Sequence, residues 1–211
     1  MKSILTILIF FPLVVNAQFE FVSDSISPLE TQLGIPNPDS IKFELRLWNN
    51  SQIFSLFTQL SLNQKNEWNY RTGFINHDGD IYYLKSNPDV DLSELWKTLD
   101  SLGVRSLPSQ EIATASIEKN GYTYKLPFEE FEKITQSTEE SLITVELFNQ
   151  ANYRTYHYYN PIRISEGIKN SKQNLESKEH FAMAKIVQTV TNTFDIHQAY
   201  KIYFEKEVNN L

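Results

Sequence analysis

The sequence predicts an α+β domain with a mainly antiparallel sheet and helices packed on one face. Two observations carry this. Most strand-like segments are joined by turn signals rather than by helical crossovers, as at Asp78-Gly79 and Asn120-Gly121. And two helical patterns, at 92–102 and 177–194, each present a single apolar stripe. The bulk composition agrees with a folded chain: of 211 residues, 41% are hydrophobic and 21% charged.

The chain begins with a targeting pattern. Met1-Lys2 is a short basic start, and Ile4 to Val15 is almost wholly apolar. Val15-Asn16-Ala17 then offers short residues at the −3 and −1 positions. This reads as a signal peptide over 1–17, cleaved after Ala17, and the apolar run is too short to span a bilayer comfortably. Residues 18–40 read as an extended N-terminal arm, broken by Pro28, Pro36 and Pro38. The single α+β domain is expected over 41–211.

In Ile41 to Leu47 apolar and charged residues alternate, the pattern of a strand with one buried face. Residues 53–62 fit helix or strand equally. Residues 67–85 read as a hairpin around Asp78-Gly79, and a second tight turn sits at Asn120-Gly121. The helix at 92–102 is the best marked. Asp91 and Glu94 make a capping pattern, and Leu92, Leu95, Trp96, Leu99 and Leu102 make the stripe. Gly103 follows where a left-handed residue ends a helix, so that Val104 can fold back on Leu99. A short helix is expected over 128–135, strands over 142–148 and 153–159, and a polar loop over 162–176. From Ser177 a helix buries Met183, Ile186, Val187, Val190 and Phe194. The tail reads as a further helix through 207, with a strand at 199–204 as the rival.

Composition narrows the chemistry. No cysteine is present, which excludes disulfides, thiol catalysis and cysteine-based metal sites. The net charge is −7; without Lys2 the 19 basic side chains become 18 against 26 acidic ones, or −8. An acidic chain without a basic cluster is a poor candidate for nucleic acid or anionic lipid. No cofactor is expected, and no later apolar run is long enough for a membrane helix.

The candidate sites are weak. Asn76, Asp78 and Asp80 have the alternating spacing of a calcium loop, but the glycine is misplaced and the distal Glu is missing. A solvated hairpin turn explains them better, so Asp78 and Asp80 are only weak metal candidates. His180 does not begin a zinc-protease motif, because Phe181 and Ala184 stand where Glu and His are needed. Ser116 and Lys119 match S-x-x-K without its companion motifs. Glu129, Glu130, Glu132, Glu139 and Glu140 read as a solvated face.

The most distinctive segment is the aromatic strand from Tyr153 to Tyr159. Alternation puts Tyr153, Thr155, His157 and Tyr159 on one face and Arg154, Tyr156 and Tyr158 on the other. Tyr153, Arg154, Tyr156, His157 and Tyr158 are therefore the candidate ligand contacts: rings beside an arginine stack on sugars or grip a peptide if they are exposed. The plainer alternative packs one face on helices and cross-pairs the other.

Leu99-Asp100-Ser101-Leu102-Gly103-Val104 with Leu107-Pro108, and Tyr153-Arg154-Thr155-Tyr156 with Tyr158-Tyr159-Asn160-Pro161, resemble uncharacterised exported proteins of Gram-negative bacteria. The resemblance spans about residues 90–195 and implies bacterial export, periplasmic or secreted, with no attached activity. The functional expectation is a non-enzymatic exported protein that binds a protein or a cell-envelope glycan. The alternative is a periplasmic hydrolase using unrecognised carboxylates and His157. The oligomeric state is not legible.

Overall fold

A computed structural model describes residues 33–50, 54–76, 78–85, 90–110, 113, 115–127, 130–131, 141–149, 152–171, 174–198, 200–201 and 205. The signal peptide, most of the arm, His77, Asp89, Glu129, Glu132, Glu139 and Glu140 lie outside this set, as do most of 128–135 and part of 199–204.

The chain is a single α+β domain, as the turn chemistry predicts. Six strands make the main sheet: β1 (Ile41–Asn50), β2 (Phe54–Asn63), β3 (Trp68–Asn76), β4 (Ile81–Tyr83), β7 (Leu142–Asn149) and β8 (Asn152–Tyr159). Their order is β4-β3-β2-β1-β7-β8, and every pairing is antiparallel. Segment 54–63, ambiguous by pattern, is thus a strand, held between β1 and β3.

The single sheet expected from the sequence is in fact two. β5 (Ala115–Lys119), β6 (Tyr122–Leu126) and β9 (Asn174–Glu176) form a separate three-stranded sheet in the order β6-β5-β9. Asn120 and Gly121 close its hairpin, both at positive φ (54° and 78°), as a two-residue turn requires. The Asp78-Gly79 turn is wider. It spans Asn76 to Asp80, with Gly79 at φ 88° and the Asn76 carboxamide oxygen accepting from the Asp80 N–H at 2.8 Å.

Among the described residues three helices have both ends defined: α1 (Leu92–Ser101), α2 (Pro161–Asn170) and α3 (Lys178–Phe194). α1 follows its sequence signals residue by residue. Asp91 accepts from the Ser93 and Glu94 N–H groups. At the other end Gly103 adopts φ 84°, its N–H donating to Asp100 O and that of Val104 to Leu99 O. These two bonds are the Schellman pair, and both Val104 and Leu99 are fully buried.

The expected polar loop at 162–176 is a correction: it holds α2 and then β9. Asn160-Pro161 ends the strand, but Pro161 is also an N1 proline that starts the helix. Pro161, Ile164, Ser165 and Ile168 recur at helical spacing and are buried. Three apolar residues among ten, with Gly167 and Asn170, made that stripe faint. After α3, Asp195 at φ 45° ends the helix, and residues 196–198 and 200–201 are again helical.

Leu45, Leu47, Leu60, Phe74, Val145 and Leu147 face α1 and α3 from one side of the main sheet and form the core with Leu95, Leu99, Met183, Val187 and Val190. A smaller core joins the second sheet to α2 through Ala115, Ile164, Ile168 and Leu175. The other side of the main sheet departs from simple alternation. Glu44 and Arg46 fall on the face opposite the leucines, as the pattern predicts, yet they are only 2% exposed. Arg46 donates to Glu44 at 2.6 Å and to the Gly34 carbonyl at 2.7 Å, and lies 3.7 Å from Glu146. Trp48 donates to Glu146 at 2.8 Å. The polar stripe of β1 is therefore a second, ionic interior.

Candidate functional site

One end of the main sheet, on its helical side, gathers the start of β1, the end of β2, the starts of β3 and β8 and the end of β7. α1 lies across this end. Between them is a pocket of about 250 Å³ lined by Lys42, Phe43, Leu62, Trp68, Trp96, Arg105, Leu147, Asn149 and Arg154.

Each lining group has a local cause. Phe43, Leu62, Trp68, Leu147 and Arg154 point to the helical side by strand alternation. Lys42 should point away from its neighbour Phe43. The register shifts between Ile41 and Phe43, however, so that Lys42 is the extra residue of a β-bulge and also lines the pocket. Trp96 comes from the half-buried flank of α1. Arg105 follows two residues after the Gly103 stop, which turns the chain back toward the sheet.

The floor is aromatic. Phe43 and Trp96 have ring centres 4.3 Å apart, and the two tryptophans 6.0 Å at an interplanar angle of 33°. The rim is basic. Arg105 lies 5.9 Å over the Trp96 ring and is paired with Asp100. Arg154 lies 4.8 Å over the Tyr156 ring and donates to the carbonyls of Arg105 and Leu107. Lys42 donates to Asn66 at 2.6 Å. Among the described residues neither Lys42 nor Arg154 forms an ion pair. Burial lowers the pKa of Arg154, the mark of a cation with part of its hydration removed. In a chain of net charge −7, every charged residue lining this pocket is basic.

The structure separates the five residues of the aromatic strand. Arg154 reaches the pocket. Tyr156 and Tyr158 share its face but are 1% and 0% exposed, so neither ring presents a surface to a ligand. Tyr156 instead donates to Val104 O at 2.7 Å, and burial raises its pKa. Tyr153 and His157 lie on the opposite face. There Tyr153 packs on Phe148 with ring centres 4.9 Å apart, and His157 Nδ1 is 3.0 Å from the Thr144 hydroxyl. Both are cross-strand neighbours on β7.

Asp78 and Asp80 are exposed on the hairpin. Among the described residues no group of three or more His, Asp or Glu side chains is placed to hold a metal. Ser116 and Lys119 lie on strand β5, where an odd spacing points them to opposite faces. Glu130 is exposed. His180 is buried in α3 against Phe131 and Tyr158, with Nδ1 2.6 Å from the Ser177 hydroxyl.

The pocket was not legible as a site. Its residues come from six elements, β1, β2, β3, α1, β7 and β8, and from the turn after α1, and only Arg154 stood out in the sequence. Lys42, Phe43, Trp68, Trp96 and Arg105 carry no shared motif; their one common signal is that the fold brings their strand ends and α1 together.

No protein-family model, curated protein or solved structure matches the chain. The functional reading therefore rests on the geometry of the pocket. Among the described residues no helix is long and apolar enough to cross a membrane.

Proposed function

We propose that this chain is a non-enzymatic exported protein that binds a partner or ligand of the cell envelope, protein or glycan, through the pocket between α1 and the sheet end. The carrying observation is the joint presence of Phe43, Trp68 and Trp96 with Lys42, Arg105 and Arg154 around about 250 Å³. A half-buried aromatic floor gives apolar contact area, and directed donors at the rim orient what lands on it. The signal-like start supports export, and the acidic remainder of the surface disfavours nucleic acid.

Tryptophan fluorescence tests this reading. Trp68 and Trp96 line the pocket, while Trp48 is fully buried on the far side of the sheet. Envelope fractions, separated into protein and glycan, are titrated into the purified protein. A fraction holding the partner shifts the emission, and Trp96→Phe removes most of that shift. The proposal fails if no fraction changes the emission, or if partner capture is unchanged by substitutions at Trp96 and Lys42.

A further inference from the structure

The pocket is asymmetric in its hydrogen-bonding capacity, and the asymmetry selects a ligand class. Lys42 brings three donors, and Arg105 and Arg154 five each, with no acceptor among them. Asn149 alone supplies a side-chain acceptor. Arg105 already faces Asp100, so among the described residues the uncompensated charge comes from Lys42 and Arg154. These two cations, one of them partly desolvated, have no counter-ion among the described residues and line the same pocket as three aromatic rings.

Resting on the binding reading above, we propose that this pocket takes a small carboxylate with an apolar ring or branched body. The acid group is held by Lys42 and Arg154, and the body lies on Phe43, Trp68 and Trp96. A carboxylate is acceptor-only and matches a donor-only rim. A hydroxyl-rich sugar, charged or neutral, brings O–H donors that the rim leaves unsatisfied, and such unpaired groups are costly. Size agrees. About 250 Å³ equals roughly eight waters at ~30 Å³ each, enough for one ring and its acid group. The bulge at Lys42 strengthens the case: it breaks the strand's alternation and brings Lys42 to the same pocket as Phe43. Two sources carry this chemistry, a free aromatic acid and the carboxyl-terminal residue of a protein.

The test titrates the purified protein with 3-phenylpropionate, 3-phenylpropanamide, glucuronate, and a hexapeptide ending in Phe with its C-terminal amide, read by tryptophan fluorescence. The acids bind at least about tenfold more tightly than their amides, and glucuronate is weak. Lys42→Gln and Arg154→Gln each lower acid affinity by about tenfold, and added salt weakens binding further. Lys42 is at the rim, so its variant keeps the fold even if Arg154→Gln, which loses two carbonyl partners, does not. Binding of phenylpropionate without the peptide assigns a free acid; tighter peptide binding assigns a chain terminus. Equal binding of acid and amide, or glucuronate as tight as phenylpropionate, overturns the carboxylate assignment while the pocket still binds. No response to any probe also overturns it, and the binding reading then stands or falls on the envelope fractions alone.

Discussion

Gly73 shows how one missing side chain sets the packing of the main sheet. A Cβ there would lie 2.6 Å from the Phe57 ring, which crosses β3 at this point, and would also meet the Tyr82 carbonyl. Gly73→Ala is therefore expected to lower stability by about 1–3 kcal/mol through overpacking, read as a reduced denaturant midpoint. His180 makes a second residue-scale prediction. Burial pushes its pKa down from 6.5 to about 4. Below pH 6.5 the unfolded chain takes up a proton that the folded chain refuses. The His180 contribution to stability is thus lost as pH drops from about 6.5 to about 4, by about 3 kcal/mol in all. His180→Asn flattens this part of the stability profile relative to the parent chain. The sequence marked His180 only as a failed metal motif. Its role as a neutral core histidine depends on Ser177, Phe131 and Tyr158, and the last two come from elements distant in sequence.

At the scale of elements, what could be read from the chain follows how local each signal is. α1 was legible to the residue because cap, stripe and stop all lie within 91–104. Asp91→Ala removes the acceptor for two N–H groups and is expected to cost about 1 kcal/mol, measured by thermal unfolding. α2 was missed because Asn160-Pro161 serves both to stop β8 and to start the helix. The strand at 54–63 could not be told from a helix, since its identity comes from β1 and β3 on either side. Two segments distant in sequence, 99–108 and 153–161, prove to be partners in space. Tyr156 bonds Val104 O, Arg154 bonds the carbonyls of Arg105 and Leu107, and Gln110 bonds both ways with His157 and Tyr159. This joint places Arg154 and Arg105 at the pocket rim.

Across the whole molecule, the main sheet separates a hydrophobic interior from one in which buried ions lie beside Trp48, Phe57 and Ile75. Glu44, Arg46 and Glu146 join β1 to β7 across the reverse face, with Trp48 and Phe148 around them. Strand alternation predicted which residues would share that face but not that it would be buried. Arg46→Met leaves two interior carboxylates without their cation and is expected to cost about 3–5 kcal/mol. Replacing all three charged residues with apolar ones of similar volume costs less than the single change, since the desolvation of the ions is then also removed and the main loss is the acceptor of the buried Trp48 N–H. Chemical denaturation of the single and triple variants distinguishes the two cases.

The order β4-β3-β2-β1-β7-β8 also imposes a schedule on synthesis. The first four strands form a meander that is complete once residue 83 has emerged. One flank of β1 nevertheless faces β7, whose last residue is Asn149. Between them the ribosome adds roughly a hundred residues, about 5–20 s of elongation. Throughout that interval the nascent chain exposes an unpaired strand edge bearing Arg46 without Glu146, a form that chaperones can recognise and hold.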